Sequence, residues 1–512
     1  MGGFYDKPAP SRGTDSYFHP ASEEELQALV QQARREGRQL RVRGSAHSIA
    51  PAIYSDGGRH MDVMLDRYIG VSFDDACRRV TVQAGCHLGH DPRDPTCTSR
   101  WENSLLCQLE ARGWALPDLG GVTHQTVAGF LSTGSCGGSV TYAIEDAVVG
   151  YRIIDGTGVV HDLTRDDERF HAVGCAFGLL GIISTVTFQC IDHYDIVGRE
   201  DITTEAETPY ALYGDGESGL EGFLRRTEYA RLMWWPQERV RRVATWQARR
   251  MRADDYNPSG KLVKKPYSAL GGGISELRLS RVANVAAQAL GGLFYDVLAQ
   301  ASRSFSPFGE RSVRLARVGH AVRQAFARTL LPPVLRAFSP TSNAPQIFRD
   351  TWCDGLPMDN QMSEVSLPTK FTEIWLPLDR TGEILRALRA HYDAHGYDAT
   401  GAYICEVYAA RRTLGWMHPA YERDSLRIDL FWFARNPGDP TRGWFVQFWE
   451  LLKPFGYRLH WGKYLPPDPR LGYLHLRAHT PRWDDFMKLR AALDPDGCFL
   501  TRYWRNALGV IS

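Results

Sequence analysis

The stretch RVRGSAHSIAP, residues 41–51, places a histidine directly behind a short alternating segment and a run of residues with almost no side chain. Gly44, Ser45 and Ala46 leave the backbone amides of this loop accessible to a large anionic group. His47 projects from the end of the cradle that these amides would form. Because an isolated loop histidine is often incidental, the role of His47 depends on what the rest of the chain places around it.

The composition is that of a globular protein large enough for two or three domains, with 512 residues, 43% hydrophobic and 23% charged. A net charge of +1 gives no field that would attract nucleic acid, so no such partner is expected. The sequence contains no run of 18 apolar residues and no secretory signal. We therefore expect no transmembrane segment and no export. Ten cysteines without a CxxC pair predict a reducing, cytoplasmic location and no metal site.

Helix and strand signals alternate through the first part of the chain. Ser22 with Glu25 three residues later is typical of a capping box, and Gly37 ends the helix that this box begins. The strand that follows leads into the His47 loop. Residues 173–190 predict a short glycine-bracketed helix that runs into an apolar strand.

A second glycine-rich segment covers residues 117–138, where glycines alternate with serine and threonine. It would present amides and hydroxyls to a phosphate chain and to the polar edge of a flat ring. Val127 and other apolar residues within it predict that the segment is anchored in the core. No GxGxxG after a strand, GxxxxGK[ST], HExxH or GxSxG is found, which argues against a classical dinucleotide fold, a P-loop, a zinc protease and a hydrolase.

The loop, the glycine-rich segment and GLLGIISTVTF, residues 178–188, occur in an order that resembles the PCMH-type FAD-binding domain of the vanillyl-alcohol oxidase superfamily. HWGK at 460–463 and DPDGCFLTRYW at 494–504 narrow the resemblance to the sugar-lactone (gulonolactone and arabinonolactone) and alditol oxidase branch. LMWWPQ and EIWLP resemble strands of its substrate domain. The resemblance covers roughly residues 18–510 and is weakest over 250–345.

This resemblance implies an α+β fold in two parts. A two-part PCMH-type FAD-binding domain is expected over residues 18–193. A substrate domain with a large antiparallel sheet flanked by helices is expected over 194–475, with a helical insertion at about 250–345. The segment 476–512 is expected to return to the FAD-binding domain.

The resemblance also implies FAD, joined covalently to His47 through its 8α-methyl group. A second, cysteinyl link is not expected, because residues 120–129 contain no cysteine. Cys136 is a departure, since sugar oxidases carry a histidine at that place. The cofactor-binding residues expected are Arg43, Gly44, Ser45, Ala46, His47, Ser48, Gly120, Gly121, Thr123, Val127, Gly129, Ser132, Thr133, Gly134, Ser135, Gly137, Ile182, Ile183, His460 and Lys463.

The implied reaction is hydride transfer from a substrate CH–OH group to flavin N5, with oxygen or another acceptor reoxidising the flavin. Lys463 matches the active-site lysine of the family, and Glu406 matches the glutamate of its Glu-x-Arg strand. Glu406 is expected to be an unpaired buried carboxylate, which favours function over structure. Tyr408 stands where the family has arginine, so Glu406, Lys463 and Tyr408 are the expected catalytic residues.

Loss of the arginine at position 408 removes a forked donor and predicts a larger, less hydroxylated substrate than a simple sugar lactone. Trp416 and Trp432 are expected either to line its pocket or to belong to the core. Two other functions stay open: a natural-product tailoring flavin enzyme that oxidises a C–N bond or cyclises its substrate, and a flavin-binding protein without catalysis. The sequence also leaves open the oligomeric state and whether residues 250–345 form a partner or membrane-surface patch or a solvated helical cap.

Overall fold

A computed structural model describes residues 15–268, 281–304, 325, 328–362 and 365–510 of the chain. Both helices and strands are plentiful, and every sheet except one parallel pair is antiparallel. This confirms the α+β class. Within the described ranges, no helix is both long enough and apolar enough to cross a membrane.

The strands, in chain order, are β1 Leu40–Arg43, β2 Met61–Met64, β3 Val71–Asp74, β4 Arg79–Gln83, β5 Trp114–Ala115, β6 Val148–Ile154, β7 Val160–Thr164, β8 Ile182–Gln189, β9 Ile191–Asp192, β10 Asp195–Thr204, β11 Tyr229–Trp235, β12 Arg242–Arg250, β13 Gln346–Thr351, β14 Thr369–Pro377, β15 Cys405–Ala410, β16 Ser425–Phe433 and β17 Arg458–Leu459.

The helices are α1 Glu23–Arg35, α2 Ala50–Ile53, α3 Leu105–Glu110, α4 Val127–Leu131, α5 Phe170–Val173, α6 Leu220–Arg226, α7 Arg281–Ser304, α8 328–338, α9 Trp352–Gly355, α10 Thr381–His395, α11 Tyr397–Thr400, α12 Trp444–Leu452, α13 Tyr473–His479, α14 Trp483–Leu493 and α15 Arg502–Leu508.

The first part of the chain forms a parallel pair, β1 with β2, and a five-stranded antiparallel sheet in the order β3-β4-β8-β6-β7. Helix α1 begins as predicted, because the Ser22 side chain accepts a hydrogen bond from the Glu25 amide. Leu26, Val30 and Ala33 form its buried face. Strand β1 follows this helix and pairs with β2, so the chain enters the His47 loop from a paired strand.

The glycine-bracketed helix predicted after Val173 is wrong. Helix α5 ends at Val173, and a turn leads from there to β8. Phe177 (φ +47°), Gly178 (φ +69°) and Gly181 (φ +146°) all have left-handed backbone conformations, which a right-handed helix does not accept. This turn instead directs its carbonyl groups towards β1.

The strands of a large antiparallel sheet lie in the order β13-β10-β12-β11-β15-β16-β14-β17. The first of them along the chain is β10, which begins at Asp195. This agrees with the expected large antiparallel sheet. Within the predicted helical insertion the structure has α7 and α8, and the remainder of the expected helices lies outside the described residues. The C-terminal segment packs back on the first part of the chain, where the Leu40 amide donates to the Cys498 carbonyl and the Phe177 ring stacks on Trp504. The domain limits themselves stay a prediction.

Candidate active site

A groove runs between β1, the His47 loop, α4 and the turn before β8, and has an empty volume of about 1100 Å³, open solvent included. Its walls come from both ends of the chain, because Phe499 and Trp504 also line it. The predicted cofactor-binding residues that line the groove are Arg43, Gly44, Ser45, Ala46, His47, Ser48, Gly129, Ser132, Thr133, Ser135, Ile182, Ile183, His460 and Lys463.

The loop itself is shaped by close backbone approach. A Cβ atom on Gly44 would lie 2.6 Å from the Thr126 hydroxyl oxygen, so only glycine fits there. Ala46 has φ +60°, a conformation that L-residues other than glycine adopt at a cost of about 1–2 kcal/mol. The amides of Ser45 and Ala46 donate to no group of the described residues. These features aim His47 into the groove and leave amide donors available for an anionic ligand.

Arg41 ties the loop to the turn and to the C-terminal segment. Its guanidinium donates to four carbonyl groups, those of Ala52 (2.8 Å), Phe177 (2.7 Å), Gly178 (3.1 Å) and Phe499 (3.3 Å). Burial lowers the pKa of Arg41 to about 10, so the side chain is still a cation at neutral pH. Arg41 therefore holds together the segments from which the groove is built.

The groove opens at the His47 loop into a larger cavity with an empty volume of about 2140 Å³, open solvent included. His47, Ser135, His460 and Lys463 line both spaces. The predicted residues that line only the cavity are Gly120, Gly121, Glu406 and Tyr408. The structure thus brings all three predicted catalytic residues to one cavity, next to the predicted site of flavin attachment.

Four predicted cofactor-binding residues line neither space in the described structure: Thr123, Val127, Gly134 and Gly137. Val127 is buried in the core. The Thr123 hydroxyl accepts from the Asn360 amide at 2.9 Å, and the Gly137 amide donates to Asp118 at 3.0 Å. Their contacts shape the walls behind the lining residues.

Three carboxylates form a row across the large sheet, and we call Glu406, Asp429 and Glu373 the polar row. Glu406 on β15 is the register partner of Asp429 on β16, and Asp429 is the partner of Glu373 on β14. Residues two positions apart on a strand share a face, so Tyr408 and Arg427, which are also register partners, lie beside this row. All five line the cavity.

Glu406 is paired, which corrects the expectation of a carboxylate without a partner. The Arg231 guanidinium on β11 lies 3.2 Å from its Oε1 atom, and this arginine also contacts Asp359. Burial and the charge of Asp359 nevertheless raise the pKa of Glu406 to about 7. At neutral pH its carboxylate is therefore able to take up or release a proton.

Arg427 supplies the cavity with an arginine, although position 408 has none. Its guanidinium carbon lies 3.9 Å above the Tyr408 ring centroid, and Nη2 donates to the Tyr408 hydroxyl at 2.8 Å. Nε donates to Glu373 at 2.9 Å. Because this charge holds the pKa of buried Glu373 below its usual value, Glu373 is ionised. A forked donor missing from position 408 is present on the neighbouring strand.

Asp429 lies between the other two acids. Tyr408 donates its hydroxyl hydrogen to Oδ2 at 3.0 Å, whereas Oδ1 is buried and has no partner among the described residues. Burial, followed by the charges of Glu373 and Glu406, raises the pKa of Asp429 well above its usual value. The pKa values of the polar row are therefore shifted apart: lowered for Glu373, raised to about 7 for Glu406 and raised well above the usual value for Asp429, which is a common arrangement at acid–base sites.

His460 and Lys463 approach the row from the HWGK segment. The Gly462 amide donates to His460 Nδ1 at 3.1 Å, so the ring hydrogen is on Nε2, which lies 3.1 Å from the Ser135 hydroxyl. Burial lowers the pKa of His460 to about 3 and keeps the ring neutral. Lys463 Nζ lies 3.4 Å from the His47 carbonyl oxygen and 4.2 Å from the Phe371 ring centroid.

Sequence reasoning missed Glu373, Arg427, Asp429 and Arg231. A signal was present in β16, where Arg427 and Asp429 interrupt an apolar strand at every second position. Of the two tryptophans left open, Trp416 is buried with its ring 4.0 Å from the Arg482 guanidinium carbon and lines neither space, while Trp432 lines a separate aromatic cavity. Cys136 does line the cavity, and burial raises the pKa of its thiol well above the usual value.

Comparison with known proteins agrees with this geometry. The family model of D-arabinono-1,4-lactone oxidase matches residues 186–507, and a model described as FAD binding domain matches 14–90 and 101–164. The chain belongs to the D-arabinono-1,4-lactone oxidase family. It is an FAD-dependent oxidoreductase of the class that acts on CH–OH groups, as the resemblance implied.

Relatives cover most of the chain at low identity. L-gulonolactone oxidase of Mus musculus is 24% identical over 494 residues, which are 96% of this chain and 94% of that protein. L-gulono-1,4-lactone dehydrogenase of Mycobacterium tuberculosis is 24% identical over 501 residues, 96% and 95% of the two chains. Among solved structures, cholesterol oxidase from B. sterolicum superimposes with a TM-score of 0.65 at 13% identity, over 96% of this chain and 93% of that one, which shows a shared fold.

The groove fits FAD. Gly44 lets the loop lie close to Thr126, and the available amides of Ser45 and Ala46 suit a pyrophosphate. Residues of α4 and of the turn before β8 form the remaining walls. Since His47 and Lys463 line both the groove and the cavity, they stand where a ring system would pass from one to the other.

Proposed function

We propose that this protein oxidises the CH–OH carbon of a hydroxylated, lactone-type substrate to a carbonyl, with FAD attached covalently through His47. The observation that carries the proposal is the polar row with Arg427, which shares one cavity with His47 and Lys463. The names of the relatives support a lactone, and the charged lining supports a substrate with several hydroxyl groups. Such a substrate needs forked and charged partners to offset its lost hydration.

The proposed role of His47 rests on its position. It lies at the junction of groove and cavity, after a residue whose left-handed backbone turns the loop. FAD bound in the groove would supply the hydride acceptor. A histidine at this junction is placed to attach the ring while leaving its reactive side open to the cavity.

Glu406 is the proposed proton acceptor for the substrate hydroxyl. Its pKa of about 7 matches proton transfer at neutral pH, and Arg231 keeps the carboxylate in place. Asp429 Oδ1, which has no partner among the described residues, would form a hydrogen bond with a neighbouring substrate hydroxyl. Arg427 would donate to a further hydroxyl from its position beside Tyr408.

Lys463 is proposed to supply positive charge beside the ring that receives the hydride. Its Nζ lies within 3.4 Å of the His47 carbonyl, at the junction of the two spaces. A fixed cation stabilises negative charge that develops during the reaction, and removal of such a group commonly costs a factor of about 100–1000 in rate. Neutral His460 and Ser135 would hold the HWGK segment against the glycine-rich segment.

Oxygen is the proposed electron acceptor, and the cytoplasm the proposed location. The oxidases among the relatives support oxygen as the electron acceptor. Because a dehydrogenase also occurs among the relatives, the acceptor is tested by a direct measurement. Ten free cysteines support a reducing compartment. Hydrogen peroxide formed per reduced flavin in air, compared with reduction of an artificial dye, measures the acceptor.

The experiment that tests the function is acid precipitation followed by anaerobic flavin reduction with D-arabinono-1,4-lactone and L-gulono-1,4-lactone. The yellow colour is expected in the pellet, and His47→Ala should release it into the supernatant. Lys463→Ala should slow flavin reduction at least about 100-fold, whereas exposed Lys488→Ala should leave it unchanged. Colour in the supernatant of the wild type would disprove covalent attachment, and no reduction by either lactone would disprove the substrate class.

A further inference from the structure

The lining of the cavity changes character along the strands of the large sheet. Two positions from Glu373 and Asp429, the same face carries Phe371 and Phe431, register partners whose ring centroids are 5.0 Å apart. Two residues of an antiparallel strand span about 7 Å. The cavity wall therefore passes from carboxylates to aromatic rings over about the width of one sugar ring.

Further apolar side chains line the cavity. The Tyr403 ring centroid lies 6.3 Å from that of Phe431. Met362, Leu367 and Ile404 are also among the lining residues, and we call these four residues, together with Phe371 and Phe431, the apolar end. Phe371 and Phe431 are only partly buried, so part of each ring is open to the cavity. The apolar end begins beside the reaction site, because Lys463 lies 4.2 Å from the Phe371 ring centroid.

A polyol alone does not account for this surface. Hydroxyl groups placed against Phe371 and Phe431 would lose hydration without gaining a hydrogen-bond partner. An aromatic group would remove the exposed ring surface from water and would meet other rings at favourable geometry. The two ends of the cavity thus require two kinds of chemical group.

The wall at the apolar end has empty space on both sides. Tyr403 and Phe431 also line the neighbouring aromatic cavity of about 1040 Å³, open solvent included, together with Tyr295, Trp432 and Trp444. Rings with free volume behind them can turn to accommodate a bulky group. This favours a ring-sized occupant over a methyl group.

We propose that the apolar end binds an uncharged aryl group carried by the substrate, so that the substrate class is an aryl-substituted polyol or lactone. The proposal rests on the proposed function, because the polar row must hold the hydroxylated part for the aryl group to reach Phe371 and Phe431. It names a second binding subsite and predicts that single-ring sugar lactones are incomplete substrates.

The test compares D-arabinono-1,4-lactone with its 5-O-benzyl ether on the flavin-loaded protein. Calorimetry should show at least about tenfold tighter binding of the ether, and anaerobic flavin reduction a similar gain in kcat/KM. Phe431→Ala should remove this gain and leave the unsubstituted lactone within about twofold of wild type. Phe338→Ala, at an exposed phenylalanine outside the cavity, is the matched control and should change neither.

The outcomes separate the subsite from the function. Equal affinity for the two compounds, or equal losses for both in Phe431→Ala, overturns the subsite. If neither compound reduces the flavin but the ether binds in a manner that depends on Phe431, the proposed function fails and the subsite stands. Phe431→Leu serves if the alanine variant does not fold, with flavin content and Tm as the check. Failure of both the ether and benzyl alcohol to bind overturns the subsite outright.

Discussion

The groove near His47 is lined largely by backbone and small side chains, whereas the polar row consists of ionisable side chains from neighbouring strands. The residues that shape the groove near His47 are contiguous in the chain. Their proposed function depends on the backbone amides that glycine and alanine leave accessible. Glu373 and Arg427, by contrast, are 54 positions apart and meet only because β14 and β16 pair in one register. Mutations should therefore affect the two regions differently. In the groove they should act by changing its shape, and in the polar row by leaving a buried charge without a partner.

The largest effect on stability is expected from Arg427→Leu. It leaves Glu373, which is 3% exposed, as an uncompensated buried charge, and this typically costs about 3–5 kcal/mol. Urea unfolding followed by tryptophan fluorescence measures the loss. Arg470→Leu breaks an ion pair with Asp468 in which the arginine side chain is 70% exposed, and should leave the unfolding free energy almost unchanged. Similar losses in both variants would contradict a buried charge network.

Glu406→Gln should have the next largest effect, through chemistry. Flavin reduction should slow at least about 100-fold, because the amide does not accept the substrate proton. In the wild type the rate should rise with pH through about 7, since Glu406 must lose its proton to act as a base. Stopped-flow pH profiles test both points, with exposed Glu450→Gln as the control. An unchanged inflection near 7 in the Glu406 variant would assign the base to another group.

Gly44→Ala tests the groove through shape alone. The added Cβ would meet the Thr126 hydroxyl at 2.6 Å and push the loop, a kind of overpacking that costs about 1–3 kcal/mol. Introduced into a His47→Ala background, it should weaken FAD binding about tenfold or more, measured by titration of the apoprotein. Gly291→Ala, where the nearest atom is 3.7 Å away, is the control and should leave the affinity unchanged. Equal affinities in both would argue against a close fit at Gly44.

The smallest effect is expected from Tyr408→Phe. It removes the hydroxyl that donates to Asp429 and accepts from Arg427, while the ring under the guanidinium stays. A loss of about 0.5–1.5 kcal/mol in unfolding free energy is expected. Tyr473→Phe provides a tyrosine away from the cavity for comparison in the same urea titration. A loss as large as that of Arg427→Leu would mean that Tyr408, not Arg427, holds the row together.

This contrast explains how much the sequence could predict. His47 and Lys463 could be proposed from the sequence because each belongs to a short contiguous motif, and the α+β class followed from the same resemblance. Asp429 and Arg427 were missed because their role depends on which strand lies beside β16, and pairing between distant strands is not visible in a local pattern. The sequence shows that position 408 is tyrosine, whereas the arginine beside it on the adjacent strand is visible only from the register.

The helix expected after Val173 failed for a different reason. The residues from Gly174 to Gly181 are mostly apolar, but three of the eight are glycine, which has a low helix propensity. Hydrogen bonds from Arg41 to the Phe177 and Gly178 carbonyl groups hold this segment as a turn. The wrongly predicted segment is the turn that lines the groove through Phe177, Gly178 and Gly181.

The contact between Arg41 and the Phe499 carbonyl spans 458 positions, and it sets the order of events during synthesis. A ribosome that adds about 5–20 residues per second needs roughly 20–90 s to make the chain between these two residues. Throughout that interval the cofactor groove lacks the wall formed by Phe499 and Trp504. Flavin supplied during translation is therefore expected to bind fully only to chains in which this wall has been made.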